Sequence, residues 1–337
     1  MANFLRQSEE YACYMRKKGW KVISVPLSTR SCQPSEKPTA GEAPGASANL
    51  APGARERSGL NHQINTLIKK IPLLGSVIKI QRTTIPPSKK ALDNLANKQG
   101  ALFVKLEPAV DACNQEFVDS HWERDSWPLL ATKTLRLNLT QSKKELWNNL
   151  DSDAKYSIRK AKRKLKVKSK KLKNTKELKN FHKILKKVGK KQKFPTPSWR
   201  NLKMLVECFG KNAWLITASK ATHTYRSNNL KNLVAGCLIL THNQTSYYYH
   251  AATTKEGRDL LAGYSVLWHA ILLAKEKHCT TFDLEGIYDS RYHQQTKEWK
   301  GFTHFKKKFG GKIVAYPEPL IKYYSLPIKL LSKIFRS

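Results

Sequence analysis

Acidic side chains are scarce: 25 Asp+Glu stand against 62 Lys+Arg, a formal net charge of +37 over 337 residues. Long apolar runs are also missing. The longest, Leu230–Leu240 with a lysine inside it, falls far short of the roughly 20 residues a spanning helix needs. The opening MANFLRQSEEYACYMRKK has no apolar stretch before a small-residue cleavage site, so no signal peptide is expected. The six cysteines are scattered without a CxxC pair, which fits buried or incidental thiols in a reducing compartment better than disulfides or zinc. HExxH, GxSxG, a P-loop and GxGxxG are absent, so metal, serine-nucleophile and dinucleotide chemistry have no support. What is present is core material. Apolar residues make up 40% and aromatics 9%, which excludes a disordered basic tail. At roughly 100–200 residues per domain, two domains are the natural expectation. A soluble, cytoplasmic protein with a polyanionic partner (nucleic acid, an anionic membrane face or a phosphorylated metabolite) is the first working picture.

Patterning divides the chain further. Ser8-Glu9-Glu10 opens a helix that Gly19 ends, and Trp20–Val25 begins a strand. Residues 28–59 are rich in Pro, Gly, Ala and Ser, which predicts a flexible insertion. Strand text at 64–80, a helix at 89–98, strands at 101–106 and 135–139 and a helix at 141–150 complete a first unit, residues 1–150. Lys155–Lys193 holds nineteen Lys/Arg and one acid, Glu177, yet its apolar residues stay periodic; it is folded material with a basic exterior. Strands at 213–219, 230–241 and 245–251, a long helix at 257–277, a strand at 280–284, a helix at 301–309 and a strand at 312–316 fill a second unit, 151–319. Residues 320–337 read as a basic amphipathic tail, which suits either an anionic membrane face or a packed terminal helix. The two halves look like one duplicated α+β module.

Chemistry that needs only orientation and electrostatics remains, such as attack of an amine on an activated acyl group. Three places fit. Tyr247–His250 ends a strand, and Lys255 and Arg258 follow at a helix start, either as an anion site or as solvated cations. Asp283-Leu-Glu-Gly286 ends a strand in an acid and a glycine, suited to orienting an amine or to forming a plain turn. Phe305-Lys306-Lys-Lys-Phe309-Gly310-Gly311 sets Lys306 beside a core Phe, where its charge could meet an oxyanion or simply face solvent.

Together these residues resemble the Fem-type (FemA/FemB/FemX) aminoacyltransferases that build peptidoglycan cross-bridges. Tyr248-Tyr-His250-Ala-Ala-Thr, Arg258, Asp283-Leu-Glu-Gly286 and Gly301-Phe-Thr-His-Phe305-Lys306-Lys-Lys-Phe309-Gly310-Gly311 follow the family's order and spacing. Gln7-Ser8 with Lys18-Gly-Trp20, Phe103-Val-Lys-Leu-Glu107-Pro108 and Tyr156-Ser-Ile158-Arg159-Lys-Ala161 resemble its N-terminal motifs. The resemblance implies two tandem GNAT-like domains with mixed sheets flanked by helices. It implies transfer of an amino acid from aminoacyl-tRNA to the stem-peptide amine of a UDP- or lipid-linked peptidoglycan precursor, by a monomer. No metal and no cofactor is expected. Lys306, Asp283 and Glu107 take catalytic roles by this resemblance. Lys18, Trp20, Tyr248, His250, Arg258, Phe305 and Lys191 take substrate-binding ones. The sequence departs from the family in His250, where Tyr is common, and in Lys191, where an Arg is usual and would bind diphosphate bidentately.

A tRNA donor gives the charge a use, since Lys and Arg neutralise phosphates and release counterions; the docking face is placed on Lys155–Lys193. The protein is expected in the cytoplasm, with a peripheral contact at the inner membrane face as a second element. Two rivals stay open. One is an acyl-CoA-dependent N-acyltransferase, although Arg258-Asp-Leu-Leu-Ala-Gly263 only half matches the acyl-CoA pyrophosphate signature. The other is a non-catalytic RNA-binding protein.

Overall fold

The computed structural model describes residues 4–27, 63–110, 121–171, 175–192, 194–221 and 232–334; the insertion expected at 28–59 lies outside them. The strands in chain order are β1 (Lys21–Pro26), β2 (Gln63–Ile71), β3 (Gly75–Gln81), β4 (Ala101–Glu107), β5 (Glu123–Arg124), β6 (Lys133–Asn138), β7 (Leu165–Lys171), β8 (Ala213–Lys220), β9 (Leu233–His242), β10 (Thr245–Thr253), β11 (Thr281–Gly286), β12 (Lys312–Ala315) and β13 (Leu320–Tyr323). The helices are α1 (Glu9–Lys17), α2 (Lys89–Lys98), α3 (Lys143–Asn148), α4 (Ser152–Lys164), α5 (Thr175–Gln192), α6 (Trp199–Phe209), α7 (Lys255–Asp259), α8 (Ala262–Glu276), α9 (His293–Thr296), α10 (Lys300–Lys307) and α11 (Leu326–Ile334).

Local chemistry explains the helix starts. Ser8 accepts from the Tyr11 N–H, and Glu9 and Glu10 sit at the positive end of α1. Ser142 and Glu145 form a reciprocal capping box on α3. α8 is apolar on nearly every side, with Val266, Leu267, Ala270, Ile271 and Ala274 buried, because it lies between the second sheet and α4. The long helix expected at 257–277 is broken in two at Leu261, whose φ of 58° ends α7 and starts α8.

The strands form two mixed sheets, ordered β1-β2-β3-β4-β13-β5 and β12-β6-β11-β10-β9-β8-β7. β3 and β4 run parallel in the first sheet, as β10 and β11 do in the second; the other pairings are antiparallel. One core packs α2 against the first sheet, around Ile68, Ile78, Ile80, Leu92 and Leu106. A second lies on the α8 face of the second sheet, and a third lies under α5 and α6 on its opposite face and extends to α1.

Two sequence expectations change here. The sheets do not follow a division at residue 150: β6 pairs with β11 and β12 in the second sheet, and β13 pairs with β4 and β5 in the first. Leu320–Tyr323 is thus not the start of a tail but a strand inside a sheet. Its alternation is too short, at four residues, to announce itself in the text. The cysteines also differ from expectation. Cys13 on α1 and Cys208 on α6 form a disulfide across 195 residues of chain, while Cys237 and Cys279 are free and buried. Helix packing brings that pair together, with Cα atoms 5.9 Å apart, and sequence spacing cannot show it. Among the described residues no helix is long and apolar enough to cross a membrane.

A chain ending at Pro319 loses β13 and leaves β4 and β5 without their shared partner. It is expected to aggregate or to lose its cooperative thermal transition. A chain ending at Ser325, which lacks only α11, is expected to keep that transition in a calorimetric or circular dichroism melt.

Candidate active site

β10 and β11 pair over only three positions, Thr245–Tyr247 with Thr281–Asp283. Each then turns irregular. β10 bulges against β9 at Tyr249, between the pairs Tyr248↔Ile239 and His250↔Leu238. β11 loses register with β6 between Asp283 and Gly286. Bulges bend a strand and re-aim its side chains, and here both fall where the strands part. A small crevice opens at that place, lined by residues of the second sheet and of the segments beside it, among them Arg6, Arg82, Tyr247, Asp283, Glu285 and Tyr316.

Asp283 is buried and fully engaged. One carboxylate oxygen accepts from the Thr134 hydroxyl and, at 2.8 Å, from the Glu285 N–H; the other accepts from Arg136 Nε at 2.9 Å. Arg136 in turn donates to the Tyr316 hydroxyl at 2.7 Å. The effect is to hold the turn at Glu285, whose φ is 58°, a left-handed conformation that L-residues adopt at a cost and keep where surroundings enforce it. Glu285 projects its carboxylate to the crevice, with Arg6 3.8 Å away. Burial pushes its pKa up, against the pull of Arg6. Arg6 itself donates to the Tyr249 hydroxyl at 2.6 Å and stacks between the rings of Tyr11 and Tyr249.

Lys306 is 8% exposed and its ammonium donates to the Gly286 carbonyl at 2.7 Å, one residue from Glu285. Burial pushes the amine down to about 8, partly offset by Glu285 and Asp283. A Cβ at Gly286 would stand 2.7 Å from the Trp299 ring and 2.8 Å from Ala131, so only glycine admits that close approach. Phe305 packs edge-on to Tyr264 and Phe309 at 4.9 and 5.5 Å, beside the first turn of α8 at Gly263.

The other residues singled out from sequence divide into several groups. Glu107 lies one layer behind the crevice. Its oxygens accept from the Leu129 and Leu130 N–H groups, both at 2.7 Å, and from Gln81 at 3.2 Å, so it fixes the wall that Leu130 and Ala131 present. His250 shares its neighbourhood with Tyr249 and Arg6; burial, then the Arg6 charge, push the imidazole down to about 4. Tyr248 is on the opposite face, packed with the α8 core and 6.4 Å from the Phe282 ring, while Tyr247 and Tyr249 join the core under α5 and α6. Lys18 and Trp20 sit together beyond α1 on the first sheet, where Lys79 lies over the Trp20 ring at 4.7 Å. Burial, with Lys69 nearby, lowers the Lys18 pKa. Arg258 is exposed and donates to the Thr253 carbonyl, and Lys191 is exposed near the end of α5. Of the residues singled out from sequence, Asp283 alone lines the crevice, and Lys306 meets it from behind through the Gly286 carbonyl. His250, Phe305, Glu107, Tyr248, Lys18, Trp20, Arg258 and Lys191 lie outside the lining. Arg6, Arg82 and Glu285 are not evident from the sequence. Glu285 does lie inside the Asp283–Gly286 motif, and a polar residue next to the motif's glycine is the available signal.

Residues 220–325 match the model of the FemAB family. A crystal structure of FemX superposes with a TM-score of 0.72 at 17% identity, covering 97% of this chain and 94% of that one. L-PGS from Bacillus licheniformis follows at TM-score 0.52 and 12% identity, covering 79% of this chain and 83% of that one. The C-terminal domain of a putative lysylphosphatidylglycerol synthetase from Agrobacterium fabrum gives 0.53 at 9% identity, covering 80% and 83%. A sequence search of curated proteins finds no match.

His250 carries a pH prediction. Its folded pKa lies below the unfolded value, so between pH about 6.5 and 4 the unfolded state binds a proton that the native state refuses, and stability falls as pH falls. His250→Gln is expected to lose less stability than the parent between pH 7 and 4.5 in urea titrations. Equal losses would show that His250 is not held neutral. Residues 220–325 thus match the FemAB family model, and the chain as a whole has the fold of FemX.

Proposed function

We propose that the protein moves an amino acid from aminoacyl-tRNA to the stem-peptide amine of a peptidoglycan precursor. The observation that carries this reading is Lys306, a buried amine fixed on the Gly286 carbonyl beside the carboxylate of Glu285, where β10 and β11 part. In the proposed step the acceptor amine attacks the ester carbonyl of the donor. The Lys306 ammonium stabilises the oxyanion of the tetrahedral intermediate. Glu285, whose raised pKa suits a general base, takes the proton that the attacking nitrogen loses. The C–O bond to the tRNA ribose then breaks, and the ribose oxygen leaves with the proton that Glu285 gives back. Asp283 and Glu107, both already saturated with hydrogen bonds, are positioning residues in this scheme.

Charge supports a tRNA donor over a small thioester. Between β7, β8 and α5 runs a groove of about 830 Å³ lined by Lys166, Lys168, Lys170, Lys176 and Lys220, with Glu177 the one acid among its lining residues. Period-2 lysines on β7 put three of these on one face of an edge strand. A row of cations on a mixed polar floor suits a phosphate backbone. The Lys18, Lys79 and Trp20 group, on the first sheet, is the proposed acceptor-binding place.

Two experiments test the reading. Lys306→Met is expected to lower kcat for transfer from charged tRNA to a muropeptide by about 10²–10³, the effect of losing one oxyanion donor. In the parent enzyme kcat should fall as pH rises through about 8, as the ammonium is lost; Lys306→Arg should abolish that fall. Unchanged turnover in Lys306→Met would remove the residue from the chemistry. The triple variant Lys166→Gln/Lys168→Gln/Lys170→Gln should weaken tRNA binding and reduce the slope of log K against log salt by about 3, at ~0.9 for each phosphate no longer neutralised. An unchanged slope would move the donor elsewhere.

A further inference from the structure

The three most exposed large apolar side chains, Leu73, Leu326 and Leu74, share one end of the first sheet. Leu73 is fully exposed and Leu74 is 63% exposed, at the tip of the β2–β3 hairpin; Leu326 and Leu330 of α11 are 68% and 55% exposed. These pieces are some 250 residues apart in the chain, yet the sheet brings them to one end. β3 and β4 run parallel with Ser76 opposite Ala101, so the hairpin tip lies at the Ala101 end of β4. β13 runs antiparallel to β4 with Tyr323 opposite Phe103, and the Tyr324 and Ser325 N–H groups both reach the Leu102 carbonyl. The chain therefore leaves the sheet at the same end as the hairpin tip, and α11 starts there. Two strand spacings, about 10 Å, separate β3 from β13.

The hairpin tip goes against ordinary turn chemistry. Pro72-Leu73-Leu74-Gly75 puts a leucine at φ 64°, where Gly or Asn would be unstrained and soluble. Leu326 and Leu330, four apart, share one face of α11. Charge at this end is mostly positive. Lys70 beside the tip and Lys98 at the end of α2 are exposed. No acidic residue occurs between positions 63 and 92 or after Glu318. The acids nearest this end are engaged by cations: Asp93 with Lys322 at 2.8 Å, and Glu123 with Lys329. Leucines rimmed by uncompensated lysines match a surface that is anionic at its face and apolar just beneath.

We propose that this end of the first sheet is a peripheral docking surface for an anionic lipid bilayer. The hairpin leucines and the exposed face of α11 enter the headgroup region, and the lysines meet lipid phosphates. The inference needs no transfer reaction, so it stands or falls apart from the activity proposed above. If both hold, the acceptor is the lipid-linked form of the precursor.

Flotation of the full chain with vesicles tests it, comparing equal parts phosphatidylglycerol and phosphatidylcholine against phosphatidylcholine alone at physiological salt. The protein is expected to float with the anionic vesicles only. Leu73→Ser/Leu74→Ser and Leu326→Ser/Leu330→Ser should each weaken vesicle binding about tenfold while keeping the parent's melting temperature; these side chains are already in water, so folding does not depend on them. Lys168→Gln/Lys170→Gln, in the distant groove, should bind as the parent does. Parent protein that stays unbound would overturn the proposal. So would leucine variants that bind fully, which would make attachment a matter of net charge. A parent dimer that the leucine variants dissociate, without vesicle binding, would make this end a self-association face and overturn it too.

Discussion

Two parallel strands that separate after three residue pairs leave backbone groups with no ladder partner, and the rest of the second half is arranged around that fact. Buried N–H and C=O groups must be paired. Here side chains supply part of the pairing. Lys306 donates to the Gly286 carbonyl, and Asp283 accepts from the Glu285 N–H. A crevice walled by a polar backbone and by charges that hold it in shape is the outcome. The same groups that solve a folding problem are the ones able to meet a reacting carbonyl and amine.

The ion pairs there are graded. Asp283 is closed off by Arg136 and Thr134, and Asp289 by Lys133, Arg291 and Thr132. Truncating one partner of such a buried pair strands the other charge, so these acids act as scaffold. Glu285 is held more loosely: its contact to Arg6 is 3.8 Å and its side chain keeps 28% of its exposure. A carboxylate with a raised pKa, next to an amine with a lowered one, is the pattern that acid–base chemistry near neutral pH requires. Arg6 reaches this place because Phe4–Ser8 precedes α1 and runs across the second sheet, where the Leu5 N–H meets the Tyr247 hydroxyl. The segment before α1 thereby completes a crevice built on the second sheet.

Much of this is legible in the sequence, for identifiable reasons. Alternation marks β6, apolar runs mark β4 and β9, and capping serines mark α1 and α2. The motifs around Asp283–Gly286 and Phe305–Gly311 point to the parting strands because glycine is required wherever a backbone comes so near Trp299 or Arg136. What stays hidden depends on long-range pairing. β13 has only four residues and takes its identity from β4 and β5. The Cys13–Cys208 disulfide needs α1 packed on α6. The bulge at Tyr249 decides which rings of Tyr247–His250 face which core, and one inserted residue reverses the faces read from alternation. Arg6, in a short helical turn, carries no local signal.

The central claim is that the crevice joins an amine to an aminoacyl group delivered on tRNA. The most direct measurement incubates the protein with a mixed pool of charged tRNAs and with UDP-linked and lipid-linked muropeptide acceptors in parallel, and reads the product by mass. The account predicts a muropeptide heavier by one amino-acid residue, formed only when the tRNA is charged. An unaltered muropeptide, together with acylation of an amine when a coenzyme A thioester replaces the tRNA, would contradict it.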